Sequence, residues 1–299
     1  MRIVRLLDRM YYHCPQKSLL WRIIRYCIRV CANIYVRYFT TIHTKKTSVN
    51  NDCIIVSLTS FPARINNLWM TIATLLNQSY MNMHVVLWLS NEQFNGRESL
   101  PKKLLNLEKK GLEIRFVDDN LRPHKKYFYA MQQYPDNDVI TVDDDIIYHP
   151  DLVETLANCH KKHSNCVICN RGISIDSGNY SSWQKVKAVD EERAEILPTG
   201  IGGVYYPAHI FDNTRIFDKE AIKHTCLNGD DLWLNFMTRY GGNKVVYTGF
   251  ETGLVTILSS QGSALCNDNI GGNRNDIQIR NITNWAKETL NCDFYVNIN

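Results

Sequence analysis

The sequence predicts an α/β protein with a mostly parallel central sheet and helices on both faces. Three observations carry that expectation: four short apolar runs, helical spacing between successive runs, and turn residues closing each one. The first run, Cys53-Ile-Ile-Val-Ser-Leu-Thr59, is ended by Ser60-Phe61-Pro62. Residues 67–78 follow with helical spacing through Leu68, Ile72, Leu75 and Leu76. The second run is His84-Val-Val-Leu-Trp-Leu-Ser90, and residues 100–110 form the next helical segment, stopped by Gly111. Leu112-Glu-Ile-Arg-Phe-Val117 is the third run, residues 126–133 the next helix, and Asp138-Val-Ile-Thr-Val142 the fourth run. Pro150 opens a further helix over 151–163, at a position where proline costs no hydrogen bond. Sheets of this kind bind ligands beyond the C-terminal ends of their strands.

A 299-residue chain with 44% hydrophobic and 21% charged residues has the composition of a folded protein with a sizeable core. Its net charge of +4 is unevenly placed. Residues 1–46 hold ten Lys/Arg against the single acid Asp8, a charge of +9 that leaves −5 for residues 47–299. The main domain therefore has no nucleic-acid footprint, and no nucleic-acid partner is expected. The ten cysteines are scattered from Cys14 to Cys292, and Cys166-Val-Ile-Cys169 has no second pair with which to complete a zinc site. With no cleavable secretory signal in the sequence, they are expected to be free thiols in a reducing, cytoplasmic setting.

The basic leader, 1–46, contains an amphipathic helix over Leu19–Phe39, with Arg22, Arg25, Arg29 and Arg37 within one arc. Those arginines make a membrane-spanning role costly. The expectation is a helix lying in the interface on the inner face of the membrane, its basic stripe against anionic headgroups. A helix packed on the main domain with an arginine-lined outer face is the alternative. The polar residues 40–52 read as a linker, and 47–299 as one domain.

The chemistry points to Asp143-Asp144-Asp145, directly after the fourth apolar run. Three adjacent carboxylates repel one another unless a positive group sits with them. Mg²⁺ or Mn²⁺ bridging phosphates is the natural occupant, because both prefer oxygen ligands and retain waters. If the backbone stays extended, Asp143 and Asp145 share one side and Asp144 takes the other. An acidic turn opening a helix is the plainer alternative.

Five segments together resemble the family 2-type glycosyltransferases of the GT-A (Rossmann-like) fold, similar to bacterial capsule and surface-polysaccharide enzymes. They are Ile54-Ile-Val-Ser-Leu-Thr-Ser-Phe-Pro-Ala-Arg-Ile65, Lys125-Lys126, Thr141-Val-Asp-Asp-Asp-Ile-Ile-Tyr-His-Pro150, Leu197-Pro-Thr-Gly-Ile-Gly-Gly-Val-Tyr-Tyr-Pro207 and Asn228-Gly-Asp-Asp-Leu-Trp233. The resemblance implies a sugar transfer from a nucleotide-sugar donor, by default a UDP-sugar, to a glycan or lipid-linked acceptor. It places Thr59, Arg64, Lys126, Asp143, Asp144, Gly202 and Gly203 around the donor, and Asp145 with Asp143 on the metal. Asp231 is the implied general base of an inverting reaction, with Asp230 as the fallback. Arg64 and Lys126 also suit a diphosphate on charge alone, with ordinary surface charge as the alternative for both. The glycines are alternatively a turn between strands, and Asp230-Asp231 a helix start. No histidine follows His224, so a late histidine ligand is absent and the metal is left to Asp145, phosphate and water. Residues 267–275 read as a donor lid or an idle loop.

Two other functions fit parts of this pattern. A nucleotidyltransferase shares the carboxylate-held metal, but would carry a glycine-rich loop where this chain has Thr59-Ser-Phe-Pro-Ala-Arg64. A catalytically inactive membrane-bound scaffold would have little reason to keep two costly acidic clusters.

Overall fold

The computed structural model describes residues 1–15, 18–42, 49–176, 178–211, 214–258 and 273–298. The loop residues 267–272, expected as part of a lid, lie outside them.

The four apolar runs become β1 (Ile54–Thr59), β2 (Met83–Ser90), β3 (Leu112–Val117) and β4 (Val139–Thr141). They pair in parallel in the order β3-β2-β1-β4. β1 is apolar almost throughout because a parallel strand is covered on both faces. Its alternate residues part accordingly: Ile54, Val56 and Leu58 join one core cluster, while Ile55 joins Val86, Trp88, Ala130 and Val139 in another. Between the strands run α1 to α5, namely Arg2–His13, Leu19–Phe39, Ile65–Leu75, Lys102–Leu105 and Lys125–Gln133, the first two preceding β1. The helix expected over 100–110 is broken. Only one turn forms in α4, and a 3₁₀ turn over Glu108–Lys110 ends at Gly111 with φ +111°.

The second half completes the sheet with β5 (Ile146–Ile147), α6 (Leu152–His160), β6 (Cys166–Cys169), β7 (Gly172–Ser174), β8 (Gln184–Lys185), β9 (Glu192–Arg193), β10 (Ile196–Pro198) and β11 (Val204–Tyr206). α7 (Lys219–Thr225), α8 (Asp230–Tyr240), β12 (Lys244–Tyr247), β13 (Val255–Thr256) and α9 (Arg274–Leu290) follow. The eight-stranded sheet continues from β4 through β11, β6, β12 and β9. β11 runs antiparallel to both its neighbours, and β12 runs parallel to β6. This mixed but mostly parallel sheet is the α/β architecture expected from the sequence. The Cys166-Val-Ile-Cys169 pair is split by β6, with Cys166 and Cys169 in different core clusters on its two faces. Among the described residues every cysteine is a free thiol.

The leader is more structured than expected. A second helix, α1, precedes α2, and the two form a hairpin docked on the domain. Val4, Ala32 and Val36 pack with Met70, Ile147, Val255 and Ile257. Polar tethers fix the register: Asp8 accepts from Gly253 N at 2.9 Å, Asn33 donates to Thr256 O at 3.1 Å, and Leu258 N donates to Asn33 at 3.1 Å. The arginine arc is not a free stripe. Arg25 donates to the Cys14 carbonyl at 3.0 Å and stacks over Tyr11, and Arg29 reaches Thr256 Oγ1 at 3.3 Å. The outward face carries Ile3, Leu6, Leu20, Trp21, Ile23 and Tyr26 instead, with Arg2, Arg9, Arg22 and Arg37 exposed around them. Among the described residues no helix is long and apolar enough to cross a membrane.

Deleting residues 1–42 uncovers the apolar seat around Met70 and Val255, so the shortened chain should be less stable. Burial of the two valines and the alanine is worth on the order of 3–4 kcal/mol. Thermal unfolding of both chains measures this, and an unchanged Tm would mean that the hairpin contributes nothing to the fold.

Candidate active site

The charged residues singled out in the sequence meet beyond the C-terminal ends of β1 and β4, where a parallel sheet leaves backbone groups and loops free to bind. β4 ends at Thr141, and Asp143 to Asp145 lie in a bend before β5. The extended alternation expected for the triplet is therefore lost. Asp144 and Asp145 share one partner, Arg64, with Asp145 at 3.2 Å, while Asp143 turns to Lys126 at 2.8 Å. The bend is held by its own backbone: Asp143 N donates to Tyr148 Oη at 2.8 Å, Thr71 Oγ1 to Asp144 O at 3.0 Å, and Ile257 N to Asp145 O at 2.8 Å.

Lys126, in the first turn of α5, bridges two segments far apart in the chain. Its ammonium lies 2.8 Å from Asp143 and 3.0 Å from Asp230, the first residue of α8. Burial opposes its charge, but Asp143, Asp230 and Asp231 outweigh it and hold its pKa well above the ordinary lysine value. Lys126 and Arg64 are thus buried, paired cations, and the surface-charge explanation of both is excluded. Arg64 is likewise raised, burial being overcome by Asp144 and then Asp145.

Asp231 follows Asp230 but points elsewhere. Both its carboxylate oxygens accept from Gly200 N, at 3.1 and 3.0 Å. Both acids stand in the first turn of α8, the helix start the sequence also offered, although neither caps the helix through its side chain. Gly200 sits at the centre of the arrangement. A Cβ there would stand 3.0 Å from Lys126 Nζ, 3.1 Å from Asp143 Oδ1 and 3.2 Å from Asp231 Oδ1.

Five carboxylates, Asp143, Asp144, Asp145, Asp230 and Asp231, are gathered here around two cations. The imbalance appears as raised carboxyl pKa values. Asp145 is pushed up to about 7, by burial first and then by Asp143 and Asp144 against the pull of Arg64. Asp231 is pushed up to about 8, by burial and by Asp230, with Lys126 opposing. A carboxyl whose folded pKa lies above its unfolded value binds the extra proton in the folded state, so stability falls as pH rises through that window. A divalent cation can take the place of those protons. The residues fit one in this respect, since Asp145 and Asp143 offer hard oxygen donors with unbalanced charge. Among the described residues the triplet's oxygens do not converge as a three-ligand cage. The remaining ligands would come from phosphate and water, as is usual for Mg²⁺.

The other expected site residues divide. Thr59 ends β1 and donates to Trp88 O at 2.8 Å, a contact that fixes the strand end. Gly202 and Gly203, expected beneath the sugar, do not touch the carboxylates in the manner of Gly200. A Cβ on Gly202 would lie 2.6 Å from Arg171 Cβ and 2.9 Å from Arg171 N, and Gly203 packs on Leu152 and Leu156 with φ +79°. A Cβ on either would meet packing neighbours, whereas one on Gly200 would meet the charged cluster. The sequence reading also passed over Ser60, which donates to Asp144 at 2.5 Å, and Tyr148, which receives Asp143 N. Ser60 follows β1 immediately and Tyr148 lies three residues past the triplet, so position alone pointed to both.

Gly200→Ala should fold, because its new methyl meets side-chain ends at 3.0–3.2 Å that need move only a few tenths of an ångström. It should disturb the Lys126–Asp143 ion pair and the Gly200–Asp231 hydrogen bonds with little loss of Tm. Gly202→Ala meets Arg171 backbone at 2.9 Å and should lower Tm by several degrees. Equal stability losses in the two variants would mean that Gly200 is also a packing position.

No family model matches this sequence, and no curated protein matches it. Solved structures do. The crystal structure of Staphylococcus aureus TarS 1–349 aligns over 67% of this chain and 59% of that chain, at 15% identity and a TM-score of 0.43. The same protein in complex with UDP gives a TM-score of 0.42 at the same identity and coverage. The mannosyltransferase PcManGT from Pyrobaculum calidifontis, in complex with GDP-Man and Mn²⁺, aligns over 96% of this chain and 75% of that chain, at 11% identity and a TM-score of 0.48. This chain therefore spans about 59% of the length of the TarS chains it matches.

Proposed function

We propose that this protein is a metal-dependent glycosyltransferase that moves a sugar from a nucleotide-diphosphate donor to a glycan or lipid-linked hydroxyl, with inversion. The observation that carries this reading is the surplus of carboxylates, three of the five buried, over the cations paired with them at the C-terminal end of the parallel strands. A site with that surplus suits a divalent cation, and a diphosphate then supplies further oxygen ligands. Asp145 and Asp143 would hold Mn²⁺ or Mg²⁺. Bound there, the metal would act as a Lewis acid toward the departing diphosphate. Arg64, Lys126 and Thr59, with Asp143 and Asp144, belong to the donor side of the site. Lys126 and Arg64 also hold the acidic segments together through their ion pairs.

Asp231 is assigned as the general base. Its carboxylate is oriented by Gly200 N and lies near Lys126 and Asp143, with Asp230 as the alternative should its own role prove smaller. As the acceptor oxygen bonds to the anomeric carbon, the bond from that carbon to the phosphate oxygen breaks. The electron pair leaves with the diphosphate, and the hydroxyl proton passes to Asp231. A base with a raised pKa is protonated and idle at low pH. Transfer should accordingly increase with pH well above the ordinary carboxylate range, as Asp231 ionises, because burial and Asp230 raise its pKa.

Asp231→Asn preserves size and can still accept from Gly200 N, so donor binding should survive while transfer falls ~10²–10⁴-fold and the rising pH limb disappears. Transfer is followed with a panel of nucleotide sugars, and product anomericity is read by NMR. Near-normal turnover of the variant, or a retained configuration, contradicts the assignment. Turnover of a nucleoside triphosphate with a sugar phosphate would support a nucleotidyltransferase instead.

The hairpin of α1 and α2 is assigned to the inner, anionic face of the membrane, where a lipid-linked acceptor would be found. Support comes from its exposed apolar face and the exposed arginines beside it, a combination that suits headgroup attraction with shallow insertion. Because apolar side chains face outward, high salt should weaken vesicle binding without abolishing it. Replacing Leu20, Trp21 and Ile23 with serine should reduce flotation with anionic vesicles and leave Tm unchanged. Equal flotation of both proteins would remove the hairpin from the membrane.

A further inference from the structure

A second cluster of ligating side chains lies at the opposite end of the sheet order from the parallel β1–β4 block and shares no residue with the site above. Cys159 is in the last turn of α6, His163 follows that helix, and Asp190 precedes the edge strand β9. One ligand atom from each lies within 4.8 Å of the other two. Asp190 Oδ1 is 3.3 Å from His163 Nε2 and 3.8 Å from Cys159 Sγ.

We propose that Cys159, His163 and Asp190 form a binding site for a borderline transition-metal ion, Zn²⁺ above all, which staples the end of α6 to the β9 edge of the sheet. A thiol, an imidazole and a carboxylate are the three donor types zinc accepts in tetrahedral sites, whereas Mg²⁺ and Ca²⁺ call for oxygen alone. The fourth position is left to water.

An independent feature is the placement of Glu192. Its Oε1 lies 2.9 Å from His163 Nδ1, on the ring nitrogen turned away from Asp190. Metal-binding imidazoles commonly donate that second N–H to a carboxylate, which fixes the tautomer and points the Nε2 lone pair at the ion. Asp190 is held for its part by a left-handed backbone, φ +60°, and by its N–H on Tyr247 O at 3.0 Å. Lys162 contacts the other Asp190 oxygen, Oδ2, at 3.1 Å. That exposed pair leaves Oδ1 for the metal and contributes little of its own. Binding forms one metal–sulfur bond and releases the thiol proton to solvent, which makes affinity rise with pH.

Co²⁺ titration of the full chain tests the site without reference to catalysis. A thiolate ligand gives a sulfur-to-cobalt charge-transfer band in the near ultraviolet, which the oxygen-only donor site cannot produce. The band should saturate at one equivalent, yield to Zn²⁺, and resist excess Mg²⁺. Cys159→Ser should abolish it, and Glu192→Gln, an exposed change outside the ligand set, should weaken cobalt affinity ~10-fold. Zn²⁺ should also raise the Tm of the parent chain and not that of Cys159→Ser. Absence of the band in the parent chain overturns the proposal. So does a band that persists in Cys159→Ser, or one that is lost in Cys166→Ser while Cys159→Ser retains it.

Discussion

The arrangement of this molecule depends most on one electrostatic constraint, the need to keep five carboxylates together with two cations, Arg64 and Lys126, paired directly to them. Each cation has a distinct task. Arg64 spans Asp144 and Asp145 within the bend, while Lys126 joins that bend to the start of α8 through Asp143 and Asp230. Without Lys126 the two acidic segments, remote in sequence, would repel across a poorly solvated gap. Leaving such charges unpaired is among the costlier things a single substitution can do. Gly200 completes the arrangement by keeping its backbone N–H on Asp231 and offering no side chain to displace Lys126.

The sheet supplies the geometry for this. Parallel β1 and β4 deliver Ser60, Arg64 and the Asp triplet to the same end, and the antiparallel β11 brings the Gly200 turn alongside β4. The hairpin of α1 and α2 braces the far side of the bend, because β13, which pairs with β5 just after the triplet, is the strand Asn33 grips. The leader is thus mechanically continuous with the carboxylate bend, through β5 and β13.

Much of the fold was legible because β1, β2 and β4 are buried on both faces and read as continuous apolar runs, while β3, at the sheet edge, alternates apolar with polar residues. α2 was legible to the residue, Leu19–Phe39, from its spacing. What escaped was set by distant contacts. Nothing local marks Asp8 as buried, since its partner Gly253 is 245 positions away. The arginine arc looked like an outer stripe because its acceptors, the Cys14 carbonyl and Thr256, appear only after α2 folds back and docks. Asp143 and Asp145 seemed to share a side because the strand seemed to continue, but the ladder stops at Thr141. The glycine segment was readable only as a close approach of backbone: a run of glycines does not show which one faces charge, as Gly200 does, and which faces Arg171, as Gly202 does.

The most direct measurement of the central claim is calorimetric titration of UDP and GDP into the protein, with Mn²⁺ and with chelator, in the parent chain and in Asp145→Asn. The account predicts one-to-one binding that requires the metal and is lost in Asp145→Asn. The metal-free variant should be at least as stable as the parent at pH 8, because a buried carboxyl with its pKa raised to about 7 has been removed. Nucleotide binding of equal strength with and without metal, or binding unchanged by Asp145→Asn, would contradict it.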